Sequence, residues 1–224
     1  SLFFEYQGAH LIGAIGLVLV AAWVAGQPGM LGEGQALGIS AATWFWFGMT
    51  VSLLHHVWVW LFWRGELHYG WISERLGSPR GFNIYARGFG LWALLRGTAI
   101  VGVAAASPWT SGMPVGLRLV LALVCLGLAG WLMYSVVKFF TVERALGADH
   151  FDPKYRSLGL EKRGIFAYAR NGMYTFGLLA LYIPGLLWAS QAALWLGLLN
   201  HLNTWLHYLV TERPDMQRIY GDKS

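Results

Sequence analysis

"YTFGLLALYIPGLLWASQAALWLGLLNHLNTWLHYLV", residues 174–210, decides the fold. It holds two apolar segments, about Tyr174 to Trp188 and Ala192 to Val210, with only "ASQ" between them. A connection that short makes its flanking helices antiparallel neighbours, so the segment reads as a helical hairpin whose two outer ends lie side by side. The second leg is not uniformly apolar. Asn200, Asn203, Thr204, His207 and Thr211 recur at helical spacing and form a polar stripe, with His201, Tyr208 and Glu212 in a second stripe beside it. A stripe that broad cannot face lipid and is expected against other helices or a wet cavity.

The composition sets the class. Of 224 residues 56% are hydrophobic and 12% charged, with mean hydropathy +0.48, 13 Trp and 29 Gly. A soluble domain carries about twice that charge. Four further apolar runs precede the hairpin, at about Gly8–Gly26, Leu37–Trp63, Gly88–Ala106 and Val115–Val137. The expected architecture is an all-α polytopic membrane bundle of about six transmembrane helices, each of roughly 20 residues. Basic residues gather in the loops Arg64–Arg87 and Lys138–Gly172 and in the tail, which puts those loops and both termini on the cytosolic side of a bacterial inner membrane or the endoplasmic reticulum. The same distribution accounts for the net charge of +5 without nucleic acid. The single Cys125 excludes a disulfide framework. The first apolar run lacks a basic leading region, so no cleavable signal is expected.

Ionisable groups at membrane depth are functional candidates by default. His55 and His56 precede Arg64 by about nine residues, and Arg96 follows Arg87 by the same number. At about 1.5 Å per helical residue both lie roughly 13 Å deep. Arg96, His55 and His201 are the expected contacts to a membrane-embedded substrate, against the plainer reading of interhelical hydrogen bonds. His55 or His56 facing His201 is the one arrangement that suits haem; no metal-binding spacing occurs otherwise, and no metal is expected.

Two motifs flank the hairpin. "GIFAYARNGMY", residues 164–174, supplies Tyr168, Arg170, Asn171 and Tyr174; "TERPDMQRIYG", residues 211–221, supplies Glu212, Arg213 and Asp215. The hairpin brings the two together at one membrane face. Arginine and tyrosine suit a carboxylate, Glu212 suits an ammonium, and aromatic walls suit a flat ring. S-adenosylmethionine carries all three parts. The pair resembles the C-terminal signature of the integral-membrane methyltransferases, the superfamily of phosphatidylethanolamine N-methyltransferases and isoprenylcysteine carboxyl methyltransferases, and is closest to the phospholipid branch. Those proteins read R-[HN]-P-x-Y before the last hairpin and E-E-x-x-x-x-x-x-[FY] after it. Here "RNGMY" has Gly172 in place of Pro, and "ERPDMQRIY" has Arg213 in place of the second Glu. "ALGADHF", residues 145–151, resembles the family's LG-containing turn.

The resemblance implies an N-terminal four-span region over residues 1–138 and a methyltransferase-like region over 139–224. It implies S-adenosyl-L-methionine as cofactor, leaving as S-adenosyl-L-homocysteine, with Gly147, Tyr168, Arg170, Asn171, Tyr174, Asn203, Glu212 and Arg213 as its contacts. The implied acceptor is a membrane lipid, the amine of a phosphatidylethanolamine-type phospholipid. Such an amine must lose a proton before attack, and His207 or Glu212 is placed to take it. The alternatives are methylation of a prenylcysteine carboxylate or small thiol, an NADPH-dependent sterol- or steroid-type reductase, and a non-enzymatic haem or scaffold subunit. The sequence is silent on oligomeric state.

Overall fold

The computed structural model describes residues 1–159, 161–169 and 171–221. The fold is all-helical apart from a two-residue hairpin of β1 (Gln35–Ala36) and β2 (Ile39–Ser40), paired antiparallel. Four long helices come first: α1 (Gln7–Ala25), α2 (Ala41–Tyr69), α3 (Ser78–Ala106) and α4 (Val115–Ser135). All four lie in segments long and apolar enough to cross a membrane. Local chemistry sets their ends. Ser40 caps α2 by accepting from the Thr43 amide, Gly70 closes it in the left-handed region, and Pro79 stands in the first turn of α3.

The terminal hairpin forms, but its legs differ. The first is broken into a helical turn at Gly172–Thr175, a 3-10 stretch at Gly177–Tyr182 and a short helix at Ile183–Leu187. Pro184 lies in the first turn of that last piece and has no amide to continue the ladder behind it. The second leg is α5 (Gln191–His207), capped by Ser190 and followed by a π-turn at Tyr208–Glu212 and then α6 (Arg213–Tyr220).

α5 packs into the N-terminal helices. Leu196 and Leu199 share one core with Ala21 and Val24 of α1, Phe45 and Met49 of α2, and Ile100 and Val103 of α3. Without a hydrophobic effect between spans, such contacts depend on close approach at small residues. Gly48 is one: a Cβ there would stand 2.6 Å from Leu196 Cδ2. At Gly102 it would stand 2.4 Å from the Trp44 indole. α4 packs on the hairpin's first leg and leaves Leu119, Leu123 and Leu126 exposed, as suits a helix facing lipid.

Polar contacts gather at the two ends of the bundle. At the hairpin-tip end, Ser107 Oγ lies 2.7 Å from Ser190 Oγ, the Trp109 amide donates to Trp188 O, and buried Arg118 donates to Leu186 O at 2.8 Å. At the other end meet the N-terminal turn, the end of α2, the turn Ala148–His150 and α6.

Candidate active site

Three carboxylates are buried together at this second end. Glu212 closes the π-turn after α5, Asp215 lies in the first turn of α6, and Asp149 lies in the short 3-10 turn Ala148–His150. The backbone that places them follows from the sequence. Pro214 has no N–H, so it cannot bond back to Val210 O. That carbonyl accepts instead from Arg64 Nη2 at 3.3 Å. π-turns inside helices occur often at functional sites. Gly147 brings Asp149 in. Its φ of +84° is a left-handed conformation, and a Cβ there would meet the Trp63 indole at 2.5 Å. The next turn can then lay the His150 ring flat against Trp63, with ring centres 4.3 Å apart.

The carboxylates have different partners. Arg64 Nε donates to Asp215 Oδ2 at 3.2 Å, and both side chains are fully buried. Arg64 Nη1 also donates to the carbonyls of Leu2, Phe3 and Glu5, so this guanidinium ties the N-terminus to the tail. Arg218 pairs with Asp215 Oδ1 at 2.9 Å and with Glu5. Asp149 receives Tyr220 Oη at 2.8 Å and faces His150 Nδ1 at 3.1 Å. Burial works against its charge, but the His150 and Tyr220 contacts hold its pKa below the usual carboxylate value. Among the described residues Glu212 has no cation within ion-pair distance. Its partner is the Tyr174 hydroxyl, which donates to Oε2. Burial, and then the carboxylates of Asp149 and Asp215, push its pKa up to about 8.

The Tyr174–Glu212 contact joins the two motifs across the hairpin. The structure does not bring every expected residue to that point. Gly147 packs against the Trp63 indole and opens the turn that carries Asp149 and His150. Tyr168 is 78% exposed and lies over Trp131, away from the carboxylates. Asn171 starts the turn that carries Tyr174, its carbonyl accepting from the Tyr174 amide. Arg213 points outward, onto a surface groove of about 390 Å³ shared with Glu5, Tyr6 and Leu209. Arg170 lies outside the described residues.

Deeper in the bundle, Asn203 is tied to α2, donating to Ser52 Oγ at 3.0 Å and Ser52 O at 3.2 Å. His201 bridges the hairpin legs, between Tyr182 Oη at 3.0 Å and Tyr174 O at 2.9 Å. His55 is buried edge-on against Phe89, and Arg96 is half-buried on α3. His207 is buried with neither ring nitrogen bonded.

Arg64, Asp149, His150 and Tyr220 were not selected from the sequence as site residues. Asp149 and His150 stand within the quoted "ALGADHF" turn, which was the available signal. Arg64 reads from the sequence only as the charge that ends a span.

The donor set fits a cationic amino acid better than an anion. Among the described residues three buried carboxylates face two arginines, Arg64 and Arg218, the first largely occupied by backbone carbonyls. His150 Nε2 is buried without a hydrogen-bond partner, 3.9 Å from Asp215 Oδ2. A cavity of about 160 Å³ opens beside Ala148, with Phe82 and Tyr155 as aromatic walls and Asn83 and Glu143 as polar groups, a lining that suits a nucleoside. Among the described residues no group of three or more His, Cys, Asp or Glu side chains is arranged to hold a metal ion.

A helical membrane bundle closed by a hairpin, with a tyrosine before it and a buried glutamate after it, agrees with the resemblance to the integral-membrane methyltransferases. Comparison with known families is more specific: residues 117–223, just under half of the chain, match the phospholipid methyltransferase family. The matched region takes in α4, the segment with Gly147 and Asp149, the hairpin and α6. Enzymes of that family are generally S-adenosylmethionine-dependent. No curated protein and no solved structure matched the chain.

Proposed function

We propose that this protein transfers a methyl group from S-adenosylmethionine to the amine of a phosphatidylethanolamine-type phospholipid, at the cytosolic edge of the bilayer. The observation that carries the reading is the Tyr174–Glu212 contact, which sets both family motifs against the carboxylates of Asp149 and Asp215. In this reading the hairpin legs also cross the bilayer, making six crossings with both ends cytosolic.

When bound, the cofactor supplies a methyl group already activated on a sulfonium. The chain's part is to bind, orient and dry the site. Glu212 would hold the cofactor's ammonium, with Tyr174 fixing the carboxylate's orientation. Phe82, Asn83, Glu143 and Tyr155 would hold the nucleoside. α6 covers the site through Tyr220 on Asp149 and Arg218 on Glu5. The lipid would enter sideways, with Arg96 toward its phosphate and His55 and His201 near its path. His207 or Glu212 would take the ammonium proton.

The test is incubation of the purified protein with labelled S-adenosylmethionine and a total lipid extract. Label in the amine headgroups supports the proposal, whereas label in prenylcysteine or thiols redirects it. Calorimetry with S-adenosylhomocysteine and with NADPH separates it from a reductase, since binding of NADPH alone would exclude methyl transfer.

A further inference from the structure

Three imidazoles from three helices meet above the carboxylates. His10 of α1 and His56 of α2 lie on either side of His207 of α5, with ring centres 5.6 Å and 5.0 Å from it. The outer two are held by Nδ1. His10 Nδ1 lies 3.1 Å from Gln7 Oε1, and Gln7 Nε2 donates to Thr211 Oγ1 at 3.2 Å, linking α1 to the π-turn. His56 Nδ1 lies 2.8 Å from Ser52 O. An oxygen acceptor at Nδ1 fixes the proton there and leaves the lone pair on Nε2. Asn203 Nδ2 lies 2.9 Å from the same His56 Nδ1, while Asn203 Oδ1 has no partner. The Ser52 carbonyl can only accept, so its 2.8 Å contact assigns the proton to His56 Nδ1, while the Asn203 amide keeps its donation to Ser52 O and Oγ.

His207 has neither nitrogen satisfied, although it is buried. An unsatisfied buried polar atom is costly, so the ring can take a hydrogen-bonding guest. In a site for an amine-bearing lipid, that guest is an ammonium donor.

We infer that His10, His56 and His207 together form the proton-accepting site for the acceptor amine, with His207 as the group that touches it and His10 and His56 as positioning residues. This rests on the N-methyltransferase reading above and assigns its base. The ammonium passes one proton to a neutral imidazole and becomes a free amine. The nitrogen lone pair then forms the new N–C bond as the C–S bond of the sulfonium breaks, and that electron pair stays on sulfur. The proton leaves from the imidazolium to water at the cytosolic face. Three rings rather than one let the added charge be shared by oriented neighbours.

The groups that face His207 come from every element packed against it. From α1 come His10 and Gln7; from α2, His55, His56, Trp63 and Arg64, whose charge is met by Asp215. α3 carries Arg96, which is half-buried. Thr211 and Glu212 follow on the same strand of chain, and His150 lies behind Trp63.

The test is the pH dependence of methyl transfer by the full chain in phosphatidylethanolamine-containing nanodiscs, with S-adenosylhomocysteine binding as the check on folding. His207→Gln should bind S-adenosylhomocysteine as the wild type does, lose roughly 10²–10⁴-fold in rate at pH 7, and regain about tenfold per pH unit toward alkaline pH as the free amine becomes available. His10→Gln and Gln7→Ala should move the wild-type profile toward alkaline pH by a smaller amount. A profile for His207→Gln parallel to wild type, equally reduced at every pH or not reduced at all, overturns the inference and leaves methyl transfer itself intact. A wild-type protein that neither binds S-adenosylhomocysteine nor methylates lipid overturns the parent reading and this one with it.

Discussion

Removing the Arg64 guanidinium should be the most damaging single change at the end of the bundle that holds the three buried carboxylates. Its Nε lies 3.2 Å from Asp215 Oδ2 with both side chains fully buried, and its other nitrogens serve the carbonyls of Leu2, Phe3, Glu5 and Val210. Arg64→Met keeps most of the apolar stem and deletes every one of these bonds. Breaking a buried ion pair from one side costs about 3–5 kcal/mol, because the partner charge stays behind. Here Arg218 still reaches Asp215 Oδ1, which lowers that figure, while the stranded carbonyls raise it. A net loss of about 4 kcal/mol is the expectation, or roughly 8–16 °C in the midpoint for a chain of this size.

The assay is thermal unfolding in detergent, followed by near-ultraviolet circular dichroism, with limited proteolysis of α6 alongside. The double-mutant cycle with Asp215→Asn is decisive. If the pair is the source of the loss, Arg64→Met and Asp215→Asn will each destabilise, and the double variant will be more stable than the sum of the two by at least about 1.5 kcal/mol. Additive losses, or a midpoint for Arg64→Met within about 2 °C of wild type, a shift worth no more than about 1 kcal/mol, would refute the claim that this guanidinium holds the tail and the N-terminus together.

Further expectations concern single groups. The Glu212 carboxyl, raised from its ordinary value of 4.5 to about 8, keeps its proton in the fold across a range where the unfolded chain has lost it. Apoprotein stability should therefore be greatest below about pH 4.5 as far as this group is concerned and fall as pH rises toward 8, and Glu212→Gln should remove that slope from unfolding curves. Cationic cofactor at Glu212 should release a proton near pH 7, visible as buffer-dependent binding heat in wild type and absent in Glu212→Gln. Gly147→Ala must place a Cβ 2.5 Å from the Trp63 indole at φ +84°, so it should lower stability by about 1–3 kcal/mol and change Trp63 fluorescence. Tyr174→Phe should weaken S-adenosylhomocysteine binding about tenfold by freeing Glu212, roughly the worth of one hydrogen bond to a charged group. Tyr168→Ala should leave the dissociation constant unchanged.

The hairpin and the pairing of its flanking motifs were legible because both depend on short-range signals: a three-residue connection, helical spacing of polar residues and a proline at the exit. Tyr174 and Glu212 are 38 residues apart, yet the hairpin between them fixes their meeting. Arg64 and Asp215 are 151 residues apart with no such device between them, and periodicity carries no information on which helices become neighbours. The stripe on α5 shows the same limit. Its spacing places Asn203 on a buried face, but not against Ser52, which satisfies most of its amide. The broken first leg was legible in principle from Gly177 and Pro184, although apolar composition alone favours one continuous helix. Arg213 shows how a motif can mislead about direction: the π-turn changes the angular position of everything after Tyr208, so Glu212 turns inward and Arg213 outward.

The distribution of charge at this end explains why the site is built for a cation rather than merely lined by acids. Arg64 is the strongest buried cation, but its bonds are to the chain itself, and Asp215 is its carboxylate. Arg218 divides itself between Asp215 and Glu5 on the surface. Asp149 is stabilised by a histidine and a tyrosine from opposite sides. Among the described residues Glu212 has a phenol as its partner, and the two nearby carboxylates favour its neutral form. A guest bringing positive charge within reach of Glu212 gains an ion pair in a poorly screened setting and removes the repulsion among all three acids. Binding of that charge and closure of α6, which carries Asp215 and Tyr220, are therefore favoured by the same interaction. Among the described residues this arrangement favours a guest that carries positive charge over an anionic one, in keeping with the proposal of methyl transfer over hydride transfer.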